Sequence, residues 1–134
     1  MRVVLAGASG FVGERLLARL GETTEVYALS RSRPRNLAAS HHHVPADLSQ
    51  IDADRLIELL PEQVDAVIHL AVSPHHRDFP DAAADLFAVN CASVASLAEY
   101  GRRSTARQLI YGSSGAVYAD GAAAPQRELS LIHI

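Results

Sequence analysis

Two stretches of this chain carry residue types and spacings suited to chemistry. The first is "GASGFVG" at 7–13, which sets Gly7, Gly10 and Gly13 three residues apart. Residues without side chains at that interval let the chain turn sharply after a strand, let an anion approach main-chain N–H groups, and let the next helix pack closely. The start of a helix beyond such a turn offers unpaired N–H groups and partial positive charge, so the matching ligand is a diphosphate. A turn that binds nothing is the alternative reading. The flanking "RVVLA" (2–6) and 10–20, which read as strand and helix, favour the ligand. The second stretch is "IYGSSGAVYAD" (110–120), with adjacent hydroxyls at Ser113 and Ser114. A serine at a strand end either orients a substrate oxygen or caps a turn.

Other residues invite chemistry less strongly. In "HHH" (41–43) only His41 and His43 share a face of an extended segment, and no third ligand stands at a recognisable spacing, so no metal is expected. His75 and His76 fall in a loop after an apolar strand, where ligands of parallel sheets bind. His69, inside that strand, reads as a packed or ligand-adjacent residue, and Cys91 as a small core residue on a helix.

These groups need elements to position them. Strands are expected at 2–6, 25–30, 42–47, 64–72 and 107–114. Helices are expected at 10–20, with Val12, Leu16 and Leu20 on the inner face and Glu14 and Arg15 in solvent, and at 52–60, with Asp52 as N-cap and Pro61 closing it. A long helix from Asp81 to Tyr100 carries Leu86, Asn90, Val94 and Leu97 in line, with Gly101 as its stop. Strands apolar on both faces, alternating with helices, predict an α/β fold: a Rossmann-like, doubly wound parallel sheet in the order 3-2-1-4-5. A flavodoxin-like order is the alternative.

The 134 residues suffice for one domain and not comfortably for two. A net charge of -3 gives no electrostatic case for nucleic acid or an anionic membrane. No stretch has the length and apolarity of a membrane span. The single cysteine cannot pair internally, which suits a cytoplasmic location. All 12 basic residues are arginine.

The G-x-x-G-x-x-G spacing of 7–13, with Phe11 and Val12 before the last glycine, resembles the extended short-chain dehydrogenase/reductase family, also called the NAD-dependent epimerase/dehydratase family. "ADLS" (46–49) looks like its Asp-Leu pair after strand three, and "AVIHLAV" (66–72) like its fourth strand, with Val72 in place of an alanine. "FAVNCASVASLAEYGRR" (87–103) is similar to the following helix; Asn90 fits, while Ser93 and Val94 depart from the usual Gly-Thr. "LIYGSSGAVYAD" (109–120) resembles the fifth strand and its signature, with Ala119 replacing a glycine.

The resemblance implies a nicotinamide cofactor held by Gly7, Ser9, Gly10, Phe11, Val12 and Gly13, by Ser30 and Arg31, by Asp47 and Leu48, by Leu70, Ala71 and Val72, and by Asn90. Asp47 would contact the adenine amine. The position where an acid selects NAD is Ser30, and no Asp or Glu lies between Val26 and Ala46. "SRSRPR" (30–35) supplies Arg31, Arg33 and Arg35 instead, so NADP is favoured over NAD. A merely solvated arginine loop is the alternative.

The resemblance also implies hydride transfer on a nucleotide-sugar or related hydroxyl or carbonyl substrate, with Ser114 orienting the substrate oxygen and a Tyr-x-x-x-Lys pair moving the proton. Tyr118 belongs to the signature and is not that tyrosine. The residues four after Tyr27, Tyr100, Tyr111 and Tyr118 are Arg31, Ser104, Gly115 and Ala122, and the chain holds no lysine. The expectation is an incomplete cofactor-binding domain over 1–128, truncated before the catalytic helix and substrate domain, inactive by itself and marginally stable, with its fifth strand an exposed edge. The tail "LSLIHI" (129–134) looks like an in-frame translation of a sequencing adapter and is expected to be non-native. Family members commonly form homodimers through a four-helix bundle. The rival readings are a non-catalytic NADP-binding sensor on the same fold and a genuinely short NADP-binding protein.

Overall fold

The computed structural model describes residues 1–114 of the chain. Five strands form one sheet: β1 (Arg2–Ala6), β2 (Glu25–Ser30), β3 (His41–Pro45), β4 (Ala66–His69) and β5 (Gln108–Tyr111). Their order is β3-β2-β1-β4-β5 and every neighbouring pair is parallel. That is the doubly wound order, and it excludes the flavodoxin-like alternative. Strand four is shorter than its apolar run, because the chain beyond His69 leaves the ladder to form the loop above the sheet.

Alternation along β1 decides the two layers. Val4 and Ala6 join Leu29, Val67, Leu97 and Tyr100 in one core, while Leu5 joins Leu17, Val26 and Ala28 in the other. The first core is covered by α2 (Ala53–Leu59) through Leu56 and by α4 (Ser93–Arg103) through Leu97 and Tyr100. The second is covered by α1 (Phe11–Leu20), with Leu16 and Leu20 partly buried beside Leu17. Asp52 caps α2 as expected, accepting the Arg55 N–H at 2.8 Å.

Several expectations need correction. On α1 the buried positions are Gly13 and Leu17, whereas Val12 is 56% exposed. The helix leans on the sheet through its glycine, so the buried stripe sits one residue away from the Val12 line. Glu14 is not left to solvent but bonds to the loop after β2. The long helix is three pieces: α3 (Ala83–Phe87), a π-helical turn (Ala88–Ala92) and α4. Val89, Ser93, Leu97 and Tyr100, three or four residues apart, face inward, and Cys91, two residues after Val89, falls on the opposite side and is exposed rather than in the core. Gly101 does not end the helix, which runs to Arg103. A Cβ at Gly101 would meet Val67 Cγ2 at 3.4 Å and Ala106 Cβ at 3.6 Å, ordinary contact distances for a buried position over β4. Thr105, at φ 57, turns the chain into β5.

β5 is an edge strand among the described residues, and Leu109, Ile110 and Tyr111 are each more than 40% exposed. Among those residues no helix is long and apolar enough to cross a membrane. The expected tail at 129–134 and the signature residues Tyr118 and Ala119 lie outside the described residues.

Candidate functional site

The site sits where β1 and β4 diverge in order, at the carboxyl ends of the strands. β1 runs into a turn at Gly7, whose φ of +82 is the left-handed region that side chains resist. A Cβ there would meet the Ala71 amide nitrogen at 2.5 Å. Gly7 and Ala8 both donate their N–H groups to Leu29 O, at 3.0 and 3.3 Å, which ties the turn to β2. Gly13 lets α1 settle on this turn, since a Cβ would stand 2.3 Å from Gly7 O.

Gly10 differs from the other two. It is the N-cap of α1 in an extended conformation, and a Cβ on it would meet only Gly7 O at 3.2 Å within the protein. Beyond that contact lies open space, and no side chain caps the first turn of α1. The helix start thus faces a cleft of about 700 Å³, open mouth included. This is a cradle that a side chain would fill, and it fits an anionic group approaching main-chain N–H donors.

The cleft gathers most of the candidate residues from separate elements. Gly7, Ser9 and Gly10 come from the turn, Ser30 and Arg31 from the end of β2, Asp47 and Leu48 from beyond β3, and Leu70, Ala71 and Val72 from beyond β4. Leu29, Ala46, Pro74 and Val89 also line it. Three of those adjoin candidates along the chain, at Ser30, Asp47 and Asn90, and that adjacency was their only signal. Phe11 lies instead in a neighbouring pocket with Arg15, Arg33 and Arg35, its ring 4.5 Å from the Arg15 guanidinium carbon. Gly13 packs behind the turn.

Asp47 and Ser30, on one side of the cleft, have defined partners. Asp47 Oδ1 accepts from the Ser49 amide at 3.0 Å and its hydroxyl at 2.8 Å. Those bonds, with Arg31 nearby, hold the Asp47 carboxyl below its ordinary range. Oδ2 is engaged by no described residue. The Ser30 hydroxyl donates to Ser32 O at 2.9 Å, so the end of β2 is neutral.

A second pocket adjoins the first through Leu70, Ala71 and Val72. It collects Val12, His76, Asn90, Tyr111 and Ser114. Ser113 precedes Ser114 at φ 49, which turns the chain sharply at the end of β5. Asn90 Oδ1 accepts the Ser73 amide at 2.9 Å, and the buried Ser73 hydroxyl donates to the Asp85 carboxylate. Together they pin the loop after β4 to the helix that crosses it. His75 turns away to Asp78, 3.0 Å distant, leaving His76 in the pocket.

His69 is fully buried under this pocket. Ser93 donates to Val89 O at 2.6 Å, so its oxygen accepts the His69 Nε2–H at 2.7 Å. Nδ1 has no partner among the described residues, and burial lowers the His69 pKa. The histidines of β3 are separately engaged: His41 with Gly21 O, His42 stacked 4.8 Å from Tyr27, His43 with Ser30 O.

Sheet order and glycine turn together define a Rossmann-like domain. The chain belongs to the NAD dependent epimerase/dehydratase family, whose model matches residues 3–133. Among curated proteins it is similar to the hybrid PKS-NRPS synthetase prlS of a fungal species (strain NRRL 50135), 35% identical over 136 residues, covering 92% of this chain and 3% of the synthetase. Among solved structures it resembles a UDP-galactose 4-epimerase, 25% identical with TM-score 0.70, covering 91% of this chain and 41% of that one. It also resembles the epimerase Mth375 of Methanothermobacter thermautotrophicus, 25% identical with TM-score 0.76, covering 96% and 40%. A UDP-glucuronic acid 4-epimerase from Bacillus cereus, in complex with a fluorinated UDP-sugar and NAD, shares the fold at 20% identity and TM-score 0.71, covering 96% and 45%. The chain therefore spans less than half the length of each of these proteins.

Proposed function

We propose that this chain binds NADP in the cleft above β1 and β4, as the cofactor-binding part of an enzyme acting on a nucleotide-sugar or related hydroxyl or carbonyl substrate. One observation carries the reading: Gly10 stands at an uncapped helix start facing the cleft, where a Cβ would press on Gly7 O at 3.2 Å and otherwise project into open space. The N–H groups of Ser9, Phe11 and Val12 would hold the diphosphate, the Gly10 N–H being given to Gly7 O, and Asp47 Oδ2 would accept from the adenine amine. Arg31, with Arg33 and Arg35, would meet a 2'-phosphate, which the neutral Ser30 does not repel. Leu70, Ala71 and Val72 would floor the passage to the second pocket, with Asn90 holding the loop over it and Ser114 orienting the substrate oxygen. When bound, the nicotinamide supplies the hydride acceptor or donor of the family's chemistry. His76, in the same pocket as Ser114, would face substrate as well.

Two of the epimerases resembling this chain carry a UDP-sugar in their names, which supports that substrate class for the whole protein. A cytoplasmic location and a homodimer belong to the same proposal, the latter tested by sedimentation. Fluorescence titration of the 134-residue chain with NADPH and NADH tests the cofactor reading. Tighter binding of NADPH is expected. Equal affinities would remove the case for NADP, and no binding of either would remove the site.

A further inference from the structure

The pocket beside the cleft contains a contradiction. Its walls include Ser9, Gly10, Arg15, Arg33 and Arg35, yet Glu14 is there too. None of Arg15, Arg31, Arg33 and Arg35 makes an ion pair among the described residues. A free carboxylate among such cations would repel the anion they await.

The hydrogen bonds resolve it. Glu14 Oε1 accepts the Arg35 main-chain N–H at 2.7 Å, and Oε2 accepts the Asn36 N–H at 3.0 Å. The Asn36 side-chain amide returns the tie, donating to Glu14 O at 3.3 Å. Each carboxylate oxygen is thus spent on a main-chain donor, and charge-assisted bonds of this kind are the stronger ones. Three bonds join the first turn of α1, directly after Gly10 and Gly13, to the loop that bears the arginines.

We infer that Glu14 is a positioning residue that fixes the arginine loop against the diphosphate turn and so sets the preference for a 2'-phosphate. The inference rests on the NADP reading above. Without the tie, Arg33 and Arg35 would ride on a loop free to move away from the start of α1, and the nicotinamide and diphosphate contacts would be unaffected.

Glu14→Ala and Glu14→Gln in the 134-residue chain, titrated with NADPH and NADH, test this. Glu14→Ala should weaken NADPH about tenfold, the worth of a charge-assisted bond, and leave NADH within about twofold. Glu14→Gln, with one acceptor oxygen remaining, should fall between. Retained NADH binding shows that the variants fold. Tighter NADPH binding by Glu14→Ala would mean that the carboxylate repels the phosphate, and an equal loss for both cofactors would mean that it only supports the fold; either overturns the inference. A wild-type preference that survives Glu14→Ala overturns this inference alone. A wild-type chain without preference overturns the NADP reading and this one with it.

Discussion

Gly13 and Gly10, three residues apart, are small for different reasons, and substitution separates them. Gly13→Ala drives a Cβ to 2.3 Å from Gly7 O, a main-chain atom that cannot swing aside. A loss of about 2 kcal/mol or more is expected, within the range for overpacked sites, read by urea denaturation. Gly10→Ala meets the same Gly7 O at 3.2 Å, a tight contact relieved by a shift of a few tenths of an ångström, so the stability loss should be smaller, about 1 kcal/mol, while dinucleotide affinity falls at least about tenfold. Equal effects on folding and binding at the two positions would refute the distinction. His69 makes a pH prediction. Its pKa is lowered by burial from an ordinary 6.5, so the unfolded chain takes up the proton first as pH falls. Stability from this group is present above about pH 6.5 and lost as pH drops through the folded value. A plot of unfolding free energy against pH should therefore slope downward on acidification, and His69→Gln should flatten it.

At the scale of elements, the loop after β4 is held by side chains rather than by the sheet. Ser73 is fully buried, its amide given to Asn90 and its hydroxyl to Asp85. Asn90→Ala strands that amide, at a cost of about 1–3 kcal/mol. Hydrogen exchange should accelerate at Ser73 more than at Val67 in the middle of β4; uniform acceleration would show a global effect instead. Asn90 was legible as a candidate, but its partner was not, because Ser73 lies 17 residues away on another element. Cys91 shows a further limit of sequence reading: the inward stripe runs through Val89, Ser93, Leu97 and Tyr100, one residue before the line of Asn90 and Val94, and leaves Cys91 facing outward.

For the whole molecule, net charge and local charge point in opposite directions. The chain carries -3 overall, yet Arg15, Arg31, Arg33 and Arg35 cluster beside the start of α1. Raising salt from about 50 to about 500 mM should weaken NADPH binding more than NADH binding, since screening acts on the additional phosphate. A parallel loss for both would place those arginines away from the phosphate. The strands and the glycine turn were legible in the amino-acid sequence because each depends on local pattern, apolar runs of strand length and residues without side chains, and the strand order followed from the handed crossovers that join parallel strands. Other features depended on contacts between distant segments: the one-residue offset of the buried stripe on α1, the continuation of α4 past Gly101 to Arg103, and the bonds from Glu14 to the arginine loop. Local pattern specifies which elements form, but how closely they approach is settled only when their side chains meet, and there the tertiary structure alone decided.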